Sequence, residues 1–458
     1  MRPSSSTSDA DGGLFGGVFA RGPVAGLVGD HAMLQAMLDA EAALARASAA
    51  AGVIPAAAAE AIAARCDAGR FDAAALGRAS AAAGNPVVPL VRALSEQLPA
   101  EAAGHVHQGA TSQDVLDTAA MLVAHRALGP LLEDLAAAAA ACARLAGAHR
   151  GTVLAGRTLL QQAVPVTFGL KAAGWLVGLD ETRLRLAEVR RRVLAVQLGG
   201  AAGTLAGFGD HGLAVLAAFA AELGLAEPTV PWHAVRARPA ALAGALGACA
   251  GVLGKAARDV ALLAQNEVAE VREGGGPGRG GSSAMPHKRN PVAAVATAAC
   301  AARVPGLVAT MLAAMPQEHE RGAGGWHAEW EPQRELLRLV GSAASWGREL
   351  LQDLEVDAAR MRANLDAAGG LPLAEAAVAA LAGALGRPAA REAVALASRQ
   401  AAEAGRPLRE VLLESPQVAD HLDAADLDRA LDPAAHLGAA GDLVDRALAA
   451  HHATEEQP

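Results

Sequence analysis

Five long runs rich in alanine and leucine constrain the fold of this chain most strongly. Short Gly- or Pro-marked breaks separate them, and they cover about residues 112–148, 163–197, 236–271, 291–315 and 331–355. The chain is 52% hydrophobic but only 2% aromatic, and it contains no tyrosine. Alanine and leucine lead the scale of helix propensity, whereas β-branched and aromatic residues favour strands. The runs therefore predict an all-α protein with a long central bundle of helices.

Smaller segments flank these runs. Residues 1–13 are polar, which predicts a disordered lead-in. Residues 14–110 predict an N-terminal helical domain, residues 111–355 the central bundle, and residues 356–458 a C-terminal domain of short helices. Within the first domain, the segment AGNPVVPLV at residues 83–91 contains two prolines that interrupt the helical pattern. This segment predicts an ordered loop at a domain edge.

The net charge limits the class of partner. At −9 it argues against nucleic acid or an anionic membrane surface, because both need a basic binding face. An anionic small molecule remains compatible if positive charge is concentrated locally. The first residues have no apolar core of the signal-peptide kind, and the four cysteines lack the spacing of metal ligands. We therefore expect reduced core cysteines and a cytoplasmic protein.

The apolar stretches also bear on the assembly. The longest stretches of small apolar residues, such as Ala240–Gly254, are shorter than the roughly 20 residues that a membrane span needs. Their apolar surface is nevertheless too broad for one monomer to cover. We therefore expect a homo-oligomer assembled by helix packing, and no membrane span.

The first of three polar stretches is HVHQGATSQD, residues 105–114, directly before the first long run. Thr111 or Ser112 can cap that helix, and Asp114 falls in its first turn, where the helix dipole favours negative charge. The same amides and hydroxyls can bind a carboxylate or a phosphate. Both interpretations stay open, although capping does not account for His107.

The second stretch, AGRTLLQQAVP at residues 155–165, leads into the second long run, with its proline near the first helical turn. Thr158 and Gln161 have the spacing of a capping box. Arg157 offers a fork of donors to a carboxylate just ahead of the helix start. A structural role and a binding role are both compatible with this pattern.

The third stretch is GGGPGRGGSSAMPHKRNP, residues 274–291. A glycine-rich linker alone would predict a mobile surface loop. However, Lys288, one of only three lysines in the chain, lies here beside Arg289, and Ser282 and Ser283 come just upstream. Glycines followed by hydroxyls and a cation suit a lid that brings a proton-transfer group and an oxyanion site to a bound substrate.

Taken in this order, the three stretches resemble the sequence blocks of the fumarase/aspartase superfamily. The block HxGxTSxD is matched at residues 107–114, RTHxQ in part at residues 157–161, and GSSxMPxKxNP in full at residues 281–291. The resemblance implies an all-α fold with a long central bundle. It also implies a homotetramer in which each active site is built from three subunits.

The resemblance further implies chemistry at a carbon next to a carboxylate, without a metal or an organic cofactor. A loop serine transfers the proton, and by position this is Ser282, with Ser283 as the alternative. Lys288 stabilises the negative charge that develops on the carboxylate. The implied substrate-binding residues are His107, Thr111, Ser112, Arg157, Thr158, Gln161, Met285, Asn290, Asn85 and Arg289.

Two departures from the superfamily select a branch. Leu159 occupies the position of the histidine of RTHxQ, and residues 84–87 occupy that of a His-Asp-Val stretch in adenylosuccinate lyases. An amine leaving group needs a proton, and losing its donor costs about 10²–10⁴ in rate. A carboxylate that leaves, or that adds to a double bond, needs no proton donor or acceptor because it is a stable anion at neutral pH. Cyclisation of a muconate therefore requires only one proton-transfer residue.

The segments at residues 83–91, 107–119, 156–176 and 324–330 resemble those of bacterial 3-carboxy-cis,cis-muconate cycloisomerases. This implies conversion of that small tricarboxylate to 4-carboxymuconolactone, in the protocatechuate branch of the β-ketoadipate pathway. An adenylosuccinate-type lyase is the alternative, and the missing histidines argue against it. A non-catalytic helical scaffold is a third hypothesis, against which the intact serine and lysine of the loop argue.

Overall fold

The structure is a computed structural model that describes residues 13–274, 280–281, 285 and 287–455. The predicted lead-in, apart from its last residue, lies outside this part of the chain. So do Ser282 and Ser283 of the glycine-rich loop.

The described residues are mostly helical, which confirms the predicted all-α class. In chain order the helices are α1 (Gly16–Phe19), α2 (Pro23–Leu27), α3 (Asp30–Ala50), α4 (Ala56–Ala63), α5 (Ala73–Ala83), α6 (Val87–Ser95), α7 (Ala100–Ala103), α8 (Ser112–Ala148), α9 (Phe168–Glu188), α10 (Gly212–Leu223), α11 (Ala237–Leu263), α12 (Val292–Ala313), α13 (Gly325–Gln352), α14 (Ala358–Asp366), α15 (Ala374–Leu385), α16 (Arg387–Ala404), α17 (Leu408–Glu414), α18 (Pro416–Ala419), α19 (Ala424–Ala430) and α20 (Ala440–Glu455). Helices α8, α9, α11, α12 and α13 overlap the five alanine- and leucine-rich runs, because alanine and leucine favour the helix locally.

Three of the long helices correct an expectation. By length and composition alone, α8, α11 and α12 are long and apolar enough to cross a membrane. Helix α14 and the helical segment Leu371–Leu385 form a pair bent by 79°, which would make a fourth span if the pair were counted as one. The expectation of no membrane span was based on the length of uninterrupted stretches of small apolar residues. Single charged residues such as Lys255 do not interrupt a helix, so the apolar helices extend further than the stretches that were counted.

In addition to the predicted helices, the described residues contain four short strands that form two antiparallel pairs. Strands β1 (Val153–Thr158) and β2 (Gln161–Thr167) form a hairpin, and β3 (Val271–Glu273) pairs with β4 (Leu354–Val356). Each pair is local and small, so the class remains all-α.

The β1–β2 hairpin overturns the prediction that residues 155–165 lead directly into a helix. Pro165 lies in β2 opposite Ala155, and Thr158 pairs with Gln161 across a two-residue turn instead of forming a capping box. Helix α9 begins after the hairpin, where the Thr167 hydroxyl oxygen accepts the Leu170 N–H at 3.1 Å. The capping function thus belongs to a different threonine.

The segment at residues 83–91, predicted as a loop, is mostly helical. Gly84 ends α5 with φ +74°, and the Asn85 side-chain oxygen accepts the N–H groups of Val87 and Val88 at 3.0 and 3.3 Å. Helix α6 begins at Val87, which places both prolines at the helix start. A proline there costs little because its missing N–H would have no helical partner.

By contacts, the chain forms two compact units. The first consists of residues 1–136, 181–255 and 295–348, and the second of residues 137–180, 256–294 and 349–458. In the first unit, α3 packs against α4 and α10. In the second, α15, α16, α17 and α19 share an apolar core that includes Leu381, Val394 and Leu412. The three consecutive domains inferred from the sequence remain a prediction.

Candidate active site

The HxGxTSxD stretch lies in the first unit, between α7 and α8. Helix α8 begins at Ser112, so Thr111 immediately precedes it as predicted. The Thr111 N–H donates to the Asp114 carboxylate at 3.0 Å. Within the part of the chain that the structure describes, the Thr111 and Ser112 hydroxyls take no part in this cap, which leaves both available for another role.

Asp114 is a buried carboxylate that holds three segments together. Its Oδ1 accepts the Gly199 N–H at 3.0 Å and lies 2.6 Å from Nε2 of His233. Its Oδ2 accepts the N–H groups of Gly200, at 2.9 Å, and Thr111. These four hydrogen bonds satisfy a carboxylate that is only 1% exposed, and they fix the loop before α8 against residues 199–200.

Glycines allow these segments to approach closely. Gly109 has φ +77°, and a Cβ atom at Gly207 would lie 2.6 Å from the Gly109 Cα. A Cβ atom at Gly200 would lie 2.7 Å from the Gly109 carbonyl oxygen. The loop therefore depends on glycine for its own conformation and for that of its neighbours.

Two side chains that sequence reasoning did not identify contact this region. The Arg321 guanidinium donates to the Gln113 side chain at 3.0 Å and to the carbonyl oxygen of Gly200 at 2.5 Å. On the other side of the loop, Nδ1 of His107 lies 2.6 Å from Oε1 of Glu41. Arg321 and Glu41 are distant from the loop in sequence, so only the fold brings them to it.

The tryptophans of the GGWHAEW segment, residues 324–330, pack on one helix face. Trp326 and Trp330 meet edge to face with ring centroids 4.9 Å apart, and the Trp326 indole donates to Asp117 at 3.0 Å. Glu329 pairs with Arg236 at 2.6 Å, and Arg236 also pairs with Asp117 at 2.7 Å. Glu329 therefore belongs to a buried ionic network.

The RTxxQ stretch lies in the second unit, on the β1–β2 hairpin. Arg157, which was predicted to bind a substrate carboxylate, donates to both oxygens of Glu270 at 2.6 and 2.9 Å. Glu270 has a fully buried side chain and also accepts from the Asn364 amide at 2.9 Å. Arg157 thus stabilises the hairpin by a bidentate ion pair, and its contact with substrate stays a prediction.

The hairpin tip is strained and apolar. Leu159 and Leu160 have φ +50° and +66°, a conformation that costs a non-glycine residue about 1–2 kcal/mol. Their side chains are 97% and 76% exposed. Strain of this kind concentrates at functional sites, and here it occurs at the position where the superfamily block has its histidine.

The described flanks of the glycine-rich loop line a cavity of about 1130 Å³ in the second unit. Four predicted site residues contribute to its wall: Met285, Lys288, Arg289 and Asn290. Lys288 and Arg289 are adjacent cations at the end of the loop, but the wall also contains Arg272 and the carboxylates of Glu267, Glu273, Glu355 and Asp357, so its charge is mixed.

Backbone contacts join the middle of the loop to its C-terminal end. The Asn290 N–H donates to the Gly280 carbonyl oxygen at 2.8 Å, and Gly281 forms a bridge with Arg289. The Glu273 carboxylate accepts the first free N–H groups of α12, those of Ala293 and Ala294, at 3.0 and 2.7 Å. Glu273 was not predicted from the sequence, although an acidic residue suits a helix N-terminus.

The predicted site residues divide between the units. The first unit contains Asn85, His107, Thr111 and Ser112, and the second contains Arg157, Thr158, Gln161, Met285, Lys288, Arg289 and Asn290.

A separate group in the second unit, made up of Asp180, His451 and Glu455, has ligand atoms close enough together to hold a metal ion. There, Nδ1 of His451 lies 2.8 Å from the Asp180 carboxylate, which accounts for that buried pair without an ion.

Comparison with known proteins places this arrangement in a family. A family model described as "Lyase" matches residues 20–306, and one described as "Adenylosuccinate lyase C-terminus" matches residues 370–447. The chain is 52% identical over 448 residues to 3-carboxy-cis,cis-muconate cycloisomerase of Pseudomonas aeruginosa, covering 97% of this chain and 98% of that protein. It is 50% identical over 450 residues to nitrosuccinate lyase of Streptomyces davaonensis, covering 96% and 94%.

A solved structure agrees with the sequence comparisons. The chain superimposes on 3-carboxy-cis,cis-muconate lactonizing enzyme from Pseudomonas putida with a TM-score of 0.91 at 46% identity, covering 96% of this chain and 99% of that one. This confirms the predicted fold. The chain therefore belongs to the lyase family of the fumarase/aspartase superfamily, whose members act on small molecules.

Proposed function

We propose that this protein is a 3-carboxy-cis,cis-muconate cycloisomerase, which forms 4-carboxymuconolactone. The observation that carries the proposal is 52% identity, over nearly the whole of both chains, to an enzyme of that name. The chemistry of the site agrees, because Leu159 at the hairpin tip cannot donate a proton to a leaving group. Ring closure by a carboxylate needs no such donor.

The reaction requires one proton transfer. A carboxylate oxygen of the substrate forms a C–O bond to the conjugated alkene, and the π electrons move to the neighbouring carbon and its carboxylate. Ser282 then gives its proton to that carbon and regains one from solvent, so that the net reaction consumes one proton. Before that proton transfer the intermediate is still a trianion, and Lys288 stabilises its dianionic enediolate group. Ser282 is assigned by the sequence block alone, since it lies outside the described residues.

Two adjacent cationic side chains at the end of the glycine-rich loop suit a trianionic substrate. Lys288 and Arg289 line the cavity at the end of the loop, in a chain whose net charge is −9. In the first unit, Thr111 and Ser112 supply hydroxyls at the start of α8, and His107 supplies an imidazole donor. Donors of these kinds bind carboxylates.

The exposed apolar surface supports the proposed homotetramer. Only 33% of the most apolar 18-residue stretch of α12 is buried within the chain. Val295 and Leu312 on this helix are 58% and 50% exposed. Packing against copies of the same helix would remove this surface from water. We place the enzyme in the cytoplasm as a soluble oligomer with active sites shared between subunits.

A second candidate is an elimination that releases nitrite, because the nitrosuccinate lyase is nearly as similar as the cycloisomerase. Nitrite, like a carboxylate, leaves as a stable anion and does not need the missing histidine. The hairpin tip therefore does not discriminate between these two reactions, and a substrate comparison is needed. Adenylosuccinate, whose amine must be protonated, fits the site less well.

The test is to incubate purified protein separately with 3-carboxy-cis,cis-muconate, nitrosuccinate and adenylosuccinate. Loss of muconate absorbance in the ultraviolet, with the lactone identified by NMR, is the expected result. Release of nitrite from nitrosuccinate without any loss of muconate would establish the second candidate instead. Turnover of adenylosuccinate alone would refute both.

A further inference from the structure

Glu41 is a buried acid on the apolar helix α3. Its side chain is 1% exposed, and Ala40, Ala42 and Ala43 beside it are buried as well. An ionised carboxylate is costly to bury unless it is paired. Among the described residues its only hydrogen-bond partner is His107 of the HxGxTSxD stretch, with Oε1 2.6 Å from Nδ1.

His107 is held in an unusual conformation. Its backbone has φ +60°, in the left-handed region that non-glycine residues seldom occupy, and its side chain is 19% exposed. Its position is two residues before Gly109 and four before Thr111, in the loop that precedes α8. Within the described part of the chain, no hydrogen bond engages its Nε2. The ring therefore has one nitrogen on Glu41 and a second available to a ligand.

The charges around the ring favour its cationic form. Burial alone would lower the pKa of His107, but the Glu41 carboxylate on α3 and, more weakly, Asp114 on α8 outweigh burial and raise it. A raised pKa keeps the ring protonated to a higher pH. The imidazolium then carries an N–H on each nitrogen.

A purely structural role accounts poorly for this pair. Replacing a buried ion pair by apolar side chains is often neutral or even stabilising. The pair holds a strained loop residue, and that residue lies in a stretch rich in substrate-binding candidates. These features point to the ring itself as the group that matters.

We propose that Glu41 is a positioning residue for substrate binding. It accepts the Nδ1–H of His107 and so fixes the orientation and positive charge of the ring, which leaves Nε2–H as a charged donor to a substrate carboxylate. The inference rests on the proposed function, which supplies a substrate with three carboxylates. Nothing in the chemistry requires Glu41 to contact the substrate.

Replacing Glu41 by glutamine separates charge from shape. The Glu41→Gln amide oxygen can still accept from Nδ1, but it no longer favours the cation, so the buried ring loses its proton at a lower pH than in wild type. The KM for 3-carboxy-cis,cis-muconate should rise about 10- to 100-fold, the range expected for losing a charged hydrogen bond. The kcat should change less than about threefold, because the role proposed for the ring is in substrate binding and not in proton transfer.

The pH profile adds a readout that a structural defect would not change. The imidazolium exists below its pKa, so the wild-type KM should stay low until the pH passes the raised pKa of His107. In Glu41→Gln the rise in KM should begin at a lower pH. Glu41→Asp, which keeps the charge on a shorter side chain, should restore part of the affinity.

Asp39→Asn is the matched control. Asp39 lies on the same helix, is paired with Arg126 at 2.6 Å, and loses the same charge on substitution. Its KM should stay within about twofold of wild type at every pH. If Asp39→Asn raised KM as much as Glu41→Gln, a general effect of charge on α3 would replace the proposal.

Histidine NMR of the free enzyme tests the charge without substrate. With ¹³C-labelled histidine and the His107 resonance assigned by its loss in His107→Asn, the ring should lose its proton at a higher pH in wild type than in Glu41→Gln. The same His107 titration in wild type and in Glu41→Gln, or an unchanged KM in Glu41→Gln, would overturn the proposal. A cationic ring in a protein that does not turn over the muconate would instead refute the proposed function.

Discussion

Gly207→Ala tests whether packing of the loop before α8 controls the site. The added Cβ atom would lie 2.6 Å from the Gly109 Cα, whereas ordinary van der Waals contact begins at 3.4 Å. The backbone must therefore move by about 0.8 Å. Because the clashing atom belongs to the main chain, no side chain can rotate away to relieve it.

The magnitude follows from this shift. Overpacking of a well-packed region costs typically about 1–3 kcal/mol of stability. A misplacement of about 1 Å can cost about 10² in rate, so kcat/KM should fall 10- to 100-fold while the helical circular dichroism is retained. The assay is kcat/KM for the muconate, together with the thermal midpoint Tm.

Gly383→Ala is the control for this variant. Gly383 lies within α15, and a Cβ atom there meets no heavy atom within 4 Å. Alanine should therefore stabilise this helix by about 0.5–1 kcal/mol and leave activity unchanged. If Gly207→Ala behaved like Gly383→Ala in both assays, the argument from close packing would be wrong.

Three further variants test the remaining assignments. Ser282→Ala should abolish turnover and leave the oligomer intact by size-exclusion chromatography. Near-normal turnover in Ser282→Ala, together with loss of turnover in Ser283→Ala, would assign the proton transfer to Ser283 instead. Leu159→His should change kcat far less than Ser282→Ala, because the proposed reaction needs no second proton donor, and a loss as large as that of the serine variant would contradict this. Glu270→Gln should destabilise the protein by about 3 kcal/mol, since it breaks a buried pair with Arg157, as measured by calorimetry. The exposed control Glu355→Gln should cost less than about 1 kcal/mol, and equal losses would show that burial is not the cause.

The helices could be predicted from the sequence because their pattern is local. The alanine- and leucine-rich runs determine their own conformation, and α8 begins at the predicted Ser112. The hairpin at residues 153–167 was missed because its turn, Leu159–Leu160, lacks the Asn or Gly that usually marks two residues of positive φ. The prolines of α6 were read as helix breakers, although they stand where a helix tolerates them.

The site was predictable in its residue types and not in its pairings. The sequence blocks identified His107 and Arg157, but their partners, Glu41 and Glu270, lie 66 and 113 residues away. A buried acid in an alanine-rich helix gives no local indication of its partner. Pairing at such separations is decided by tertiary packing, which is also why Arg157 was expected to be free for substrate.

The most direct test of the account is the ratio of kcat/KM for 3-carboxy-cis,cis-muconate to that for nitrosuccinate, measured on the same purified protein at the same pH. The account predicts that the muconate is the preferred substrate and that one deuterium enters each lactone molecule in D₂O. A preference for nitrosuccinate, or a lactone without deuterium from solvent, would contradict it.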